Sequence, residues 1–408
     1  MTERLYYHDS YQVDFQAQVI ERLSDDGRFG LVLDQTSFYP ASGGQPADNG
    51  RIDELAVEEV LIRDRDGAII HWLSAPVDSD KVTGHVDWSR RFDHMQQHTG
   101  QHILSQAFER TLDAATVGFH MSAESSTLDL DIDELSSEQI ARAEQLANEI
   151  VWQNRTVTVR FVSLSDAHQL PLRKIPPARD GSLRLVDIDE FDLTACGGTH
   201  VRQTGEVGII KVTGTGRQSG NCRLEFLCGR RALEDYDDKH GVLARLSSEL
   251  TTGYWEIEDA LARLRSELKQ VNQSLKRTKA ELIQIEAQKL ASEAVQDAGS
   301  RLICRTFVDR DVADLRRLAS TLTSSAGTVV LFGLAGPKSH LLFARSDDLN
   351  LTIDDLLKVT LPSLGDATGG GSAKFAQGGG PAASESEIQQ ALSEAKLRVL
   401  EALAAATT

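Results

Sequence analysis

Apolar and polar positions change rhythm several times along the chain. Val13, Phe15, Ala17 and Val19 alternate with Asp14, Gln16 and Gln18, the two-residue period of a half-buried strand. Ser24-Asp-Asp-Gly27 predicts a turn, and Gly30–Leu33 a returning strand. Ile52, then Val57, Val60 and Ile62, then Ile69 and Ile70 predict further short strands, a succession that suits a small β-barrel. After Trp88 the pattern turns mixed. His98, His102, Ile103, Leu104, Ala107 and Phe108 fall at helical spacing, and Ser136 with Gln139 forms a capping box for a second helix. Val157, Val159 and Phe161 resume a strand, and Arg184–Ile188, Glu206–Val212 and Arg223–Leu227 complete a sheet.

Farther on, Ile257, Leu261, Leu264, Leu268, Val271, Leu275, Leu282 and Ile285 recur in fours and threes, with Thr278 at one expected apolar place. A stripe this narrow predicts a coiled coil or a long helical hairpin arm, and it needs a second helix, from this chain or another copy. A homodimer is therefore expected. The last part predicts a helix from Asp311 to about Leu322, buried strands Thr328–Gly333 and His340–Ala344, and a final helix from Ser386 to about Leu403. The expected architecture is α+β in four parts: a small β-barrel over 1–88, an α+β domain over 89–240, a coiled-coil helical linker over 241–299, and a small α/β domain over 300–408.

A length of 408 residues suits two to four domains, and 40% hydrophobic with 25% charged residues is the composition of a soluble globular protein. The opening MTERLYYHDS has neither the basic segment nor the apolar run of a signal peptide, and no stretch approaches a membrane span. Cys196, Cys222, Cys228 and Cys304 are too few for a disulfide framework, which fits a reducing cytoplasm. The net charge of −18 opposes nucleic acid over the surface as a whole and suits an enzyme of small molecules. An RNA partner would need local basic patches, for which Arg90 and Arg91, Arg173, Lys174 and Arg179, and Lys269, Lys276, Arg277 and Lys279 are the candidates.

The chemistry concentrates in two stretches. His98 and His102 share one face of a helix, as a metal-binding pair does. Cys196-Gly-Gly-Thr-His200 adds a thiolate and a third imidazole, and its paired glycines let the backbone fold closely round an ion. Three nitrogens and one sulfur complete a tetrahedral zinc shell. The glutamate of HExxH is missing, so a protease-type general base has no usual place. Asp192 is a candidate to orient a ligand histidine. His120, an extra histidine, reads as a structural or pocket-lining residue.

RFDHMQQHTGQHILSQAF and DLTACGGTHVRQTGEVGIIKV, with LDQTSFYPASGGQPADNG before them and GGGSAKFAQGGG after, resemble the editing domain of alanyl-tRNA synthetases and more closely the freestanding alanyl-tRNA editing proteins. The resemblance covers nearly the whole chain, with no aminoacylation domain ahead of it. It implies a zinc-dependent aminoacyl-tRNA deacylase acting on mischarged tRNA(Ala), with serine the foremost wrong amino acid and glycine the second. It places Thr36 where the misattached side chain is read and Gly43 and Gly44 in the pocket wall; Gln45 is a further substrate-binding candidate, and Arg91 a candidate RNA contact. Ala123 departs from the glutamine common in the synthetases. Thr99 is a candidate to hold the attacking water or the terminal adenosine. Thr368–Gly380 resembles the glycine-rich turn of the synthetases' C-terminal domain, where bare backbone N–H groups and Lys374 offer a phosphate cradle. Zinc chemistry offers three contributions: polarising the ester carbonyl, orienting the amino acid, or lowering the pKa of a water. Two other classes stand beside this one: a zinc-stabilised RNA-binding protein without turnover, and a metallohydrolase of a small ester.

Overall fold

A computed structural model of the chain describes residues 2–25, 27–173, 182–297 and 300–405. It divides into two compact units, Met1–Glu249 and Leu250–Thr408.

The first unit opens with a closed antiparallel barrel of β1 (Asp14–Asp25), β2 (Arg28–Leu33), β3 (Gly50–Ile52), β4 (Leu55–Ile62), β5 (Ile69–Leu73) and β6 (Lys81–Val86), ordered β1-β2-β5-β4-β3-β6 round the ring. Closure leaves no unpaired edge. Phe15, Ala17, Leu31, Leu33, Val57, Val60 and Val82 fill the interior, by alternation along the strands except on β4, where a register shift between Val57 and Glu59 turns both Val57 and Val60 inward. The stretch after β2 leaves the barrel wall: Gln35–Thr36 pairs in parallel with Glu3–Arg4, and the loop continues to β3.

Helix α1 (Trp88–Leu112) follows directly. Asp87 caps it by accepting a hydrogen bond from the Arg90 N–H at 3.3 Å, and Asp113 ends it in the left-handed region at φ 54°. The helix is polar for one so deeply buried, and many of its polar side chains have partners, though His94 Nδ1 and Gln106 Oε1 are buried without one. Arg91 has no exposed surface; it pairs with Asp48 and donates to the carbonyls of Ser10 and Ser37, fastening the helix to the loop between β2 and β3.

Beneath α1 lies an antiparallel sheet of β7 (Thr116–Met121), β8 (Ser126–Leu130), β12 (Ile210–Gln218) and β13 (Asn221–Cys228), in the order β12-β13-β8-β7. A second sheet joins β9 (Val157–Ser163), β10 (Ser182–Ile188) and β11 (Asp192–Ala195) in sequence order. Helix α2 (Ser137–Trp152) carries the expected capping box. One apolar core gathers Ile103, Leu104 and Phe108 of α1 with Ala147, Val186, Leu224 and Phe226. Helix α3 (Gly229–Leu250) ends this part.

In the second unit the long helix α4 (Ile257–Glu293) leads to a six-stranded sheet: β14 (Val295–Asp297), β15 (Ser300–Val308), β16 (Thr328–Ala335), β17 (Ser339–Arg345), β18 (Thr368–Gly371) and β19 (Phe375–Gly380), in the order β14-β15-β16-β17-β19-β18. Helices α5 (Val312–Thr323), α6 (Ile353–Thr360) and α7 (Glu385–Ala405) accompany it. Ile283, Ala287 and Leu290, near the end of α4, pack with Leu315, Leu318 and Leu322 of α5. Ile283, Ala287 and Leu290 lie off the predicted stripe, which is exposed from Leu261 through Val271 and Leu275 to Leu282 and Ile285, so the expected helix pairing is not made among the described residues.

The glycine-rich stretch differs from its reading as a phosphate-cradling turn. Thr368–Gly371 and Phe375–Gly380 pair as a hairpin, so much of the backbone enters the ladder instead of pointing at a ligand. A Cβ on Gly369 would lie 2.3 Å from Gly378 Cα, which explains the glycine. The Lys374 ammonium pairs with Asp347 at 2.8 Å.

Candidate metal centre

Helix geometry sets His98 and His102 one turn apart on the buried side of α1, with ring centroids 5.3 Å from each other. The stretch after β11 brings His200 to 4.5 Å from His98 and 4.7 Å from His102, centroid to centroid. Cys196 completes the group, and the four donor atoms all lie within 4.8 Å of one another. A tetrahedral ion about 2.3 Å from sulfur and about 2.0 Å from nitrogen would hold them about 3.5 Å apart. The Cys196 Sγ lies 3.4 Å from His98 Nε2 and 3.3 Å from His200 Nε2. The donor set therefore fits zinc in spacing and in kind.

Each imidazole is aimed by a partner on its other nitrogen. His98 Nδ1–H donates to Gln45 Oε1 at 2.8 Å, His102 Nδ1–H to Asp192 Oδ2 at 3.1 Å, and His200 Nδ1–H to Thr99 Oγ1 at 3.2 Å. All three Nε2 atoms then face the thiol with their lone pairs available. Gln45 Oε1 also accepts from the Thr199 N–H at 3.2 Å, while its Nε2 donates to Thr199 Oγ1 at 2.9 Å. One amide from the barrel loop thus fastens both metal-binding stretches. Asp192 is held in turn by Arg173 at 2.7 Å.

The electrostatics suit a thiolate. Burial raises the Cys196 thiol pKa, but the charges of the His98 and His200 rings in their protonated form, with the Nε2–H bonds that protonated His102 and His200 give, outweigh it and hold the thiol well below its ordinary value. The Gly198 N–H points at the sulfur, 3.4 Å away. Burial lowers His102, yet Asp192 and Cys196 carry it above the usual imidazole value. Burial raises Asp192, and the bond from His102 with the charge of Arg173 reverses that. Gly198 has no alternative, since a Cβ there would lie 2.2 Å from the His98 ring.

The other candidates are placed as follows. Gly44, in the loop between β2 and β3, packs against β7, where a Cβ would meet Phe119 O at 2.7 Å, and the Phe119 ring faces His98 at 5.3 Å. Gly43 has open space beside it. Thr36 is buried and bonded to His71 in the barrel, and Thr99 is buried with its oxygen engaged by His200 and the Val201 N–H. His120 is exposed and is not one of the four gathered donors. Arg91, expected near RNA, has no surface to offer, because its whole guanidinium is spent inside the protein. Arg173 is likewise committed to Asp192, whereas Lys174 and Arg179 lie outside the described residues.

Two features escape a reading of the sequence. The supporting roles of Gln45 and Thr99 come from contacts 53 and 101 residues away, which no local pattern encodes. His71 did leave a signal, a histidine inside the otherwise apolar run Ile69-Ile-His-Trp-Leu73, every residue of which is buried.

Residues 183–225, which contain Asp192, Cys196 and His200, match the family described as the threonyl and alanyl tRNA synthetase second additional domain. Over 399 residues the chain is 30% identical to the alanyl-tRNA editing protein AlaX-L of Pyrococcus horikoshii, covering 93% of this chain and 94% of that protein. Over 391 residues it is 31% identical to the alanine–tRNA ligase of Pyrococcus abyssi, covering 92% of this chain and 42% of the ligase. The chain thus spans about two-fifths of the length of such ligases. The crystal structure of the C-Ala domain from Aquifex aeolicus alanyl-tRNA synthetase aligns with 25% of this chain and 96% of that one, at 24% identity and a TM-score of 0.23.

Proposed function

Because the chain belongs to the alanyl-tRNA editing protein family, we propose that it hydrolyses the ester joining a wrong amino acid to tRNA(Ala), serine first and glycine second. The observation that carries this reading is the convergence of His98, His102, Cys196 and His200, each imidazole aimed by a separate partner. These four side chains would hold one zinc ion, which when bound supplies Lewis acidity and positive charge near the ester carbonyl.

The protein's own residues supply position. Gln45, Asp192 and Thr99 keep three lone pairs converged, so no reorganisation is needed when substrate arrives. Gly43 and Gly44 let the barrel loop lie close over the centre, and Thr36 reads the side chain of the misattached amino acid. A site that pairs a hydroxyl discriminates serine from alanine far better than shape can, since the two differ by one oxygen. An ester is a reactive substrate, so positioning and charge stabilisation suffice for much of the rate.

A specific observation favours a second reading. Four protein donors make a closed set, the arrangement of structural zinc, which suits an RNA-binding protein without turnover. Incubation with serine-, glycine- and alanine-charged tRNA(Ala) separates the two. Release of serine but not alanine supports editing; tight binding without release supports the structural role. The same reading places the protein in the cytoplasm, where translation occurs, and pairs two copies through the exposed stripe of α4. No helix among the described residues is long and apolar enough to cross a membrane.

A further inference from the structure

Inside the barrel, His71 sits on β5 with no exposed surface. Its Nδ1 lies 3.1 Å from the Leu31 carbonyl and its Nε2 2.8 Å from Thr36 Oγ1. A carbonyl oxygen only accepts, so Nδ1 carries the ring proton. Burial pushes the His71 pKa down to about 4, so the ring is neutral near pH 7 and Nε2 presents a lone pair. The Thr36 hydroxyl must then donate its only hydrogen to His71. The Phe38 N–H, 3.1 Å away, occupies one of the two lone pairs on Thr36 Oγ1. One lone pair remains, and the hydroxyl has no hydrogen left to give.

Thr36 is also tied to the metal centre through its own loop. The next residue, Ser37, accepts from Arg91 of the metal helix through its carbonyl. Gln45 ends the stretch on His98. The loop therefore starts on His71 and finishes on a metal-binding imidazole.

We propose that His71 is a positioning residue for specificity: it fixes the Thr36 hydroxyl as a hydrogen-bond acceptor only, so that the site selects an amino acid whose short side chain brings a donor. A serine hydroxyl can fill the open lone pair, whereas the methyl of alanine and the hydrogen of glycine cannot. This inference rests on the editing reading, in which Thr36 faces the misattached side chain. It adds the direction of the hydrogen bond and the group that sets it.

The test compares kcat/KM for serine-charged and glycine-charged tRNA(Ala) in the full chain and in T36V, H71F and H71Q. Loss of the fixed acceptor in T36V or H71F should lower the serine-to-glycine ratio at least about tenfold. H71Q, whose amide oxygen can still accept from Thr36, should recover most of the ratio. A purely structural His71 would slow both substrates together and leave the ratio alone, which overturns the proposal, as does an unchanged ratio in T36V. Should H71F fail to fold, H71Q and T36V still decide. Nitrogen-15 shifts of the His71 ring in the wild-type protein at pH 7 test the lock independently: Nδ1 should be protonated and Nε2 bare, and the reverse tautomer overturns it. If the wild-type protein releases neither amino acid, the editing reading falls, while the ring shifts still report whether the lock exists.

Discussion

At the scale of single residues, Gln45 carries the sharpest consequence, because one amide braces His98 and the Thr199 backbone together. Q45L should keep all four donors yet weaken zinc binding by about 10–100-fold, the usual cost of removing a partner behind a ligand, as measured by competition with a chromogenic chelator. Two buried histidines outside the donor set, His71 and His94, both have pKa values pushed by burial from the ordinary 6.5 to about 4. For His94 the charges of Arg90, Arg231 and Arg91 add to burial and Asp48 opposes it. The unfolded chain takes up their protons first as pH falls, so both rings stabilise the fold above pH 6.5 and lose that contribution between 6.5 and 4. Urea denaturation should show roughly 2 kcal/mol less stability per histidine at about pH 5 than at about pH 7, and H71F should remove its share of that slope. The four donors were legible in the sequence because a helix repeats every four residues and a Cys-Gly-Gly-Thr-His stretch is compact. Gln45 and Thr99 drew attention as substrate contacts, yet their polar atoms are turned to imidazoles. Only the folded chain brings barrel loop and helix together, so this could not be read beforehand.

At the scale of elements, α1 is fastened by an ion pair with no exposed surface on either side chain, Arg91 with Asp48. Burying one charge without the other is costly. R91A should therefore destabilise the first unit by about 3–5 kcal/mol in urea denaturation, and R91M with D48N should cost less than the single change. This pair was hidden from sequence reading, because an arginine at the start of a helix looks like a solvated charge until the barrel loop covers it. The barrel strands and the capping box of α2 were legible, since alternation and capping are local. The glycine-rich stretch was not. Without side chains, two strands can approach closely enough that glycine makes a hairpin where composition suggests a turn. The stripe on α4 shows the opposite limit: its apolar period predicts a helix and a partner, and among the described residues the helix forms while the stripe stays exposed.

At the scale of the whole molecule, the first unit contains both the barrel and the candidate metal centre, joined by Gln45 on His98 and by Asp48 on Arg91. The chain carries a net charge of −18, so on the proposed editing reading attraction to tRNA depends on local features and should be sensitive to salt. The account stands on four distant side chains sharing one zinc ion. X-ray absorption at the zinc edge of the purified protein measures this directly. One sulfur at about 2.3 Å and three nitrogens at about 2.0 Å, with the sulfur lost in C196A, is the predicted result. A stoichiometric zinc with no sulfur neighbour, or a protein that never retains zinc, would contradict it.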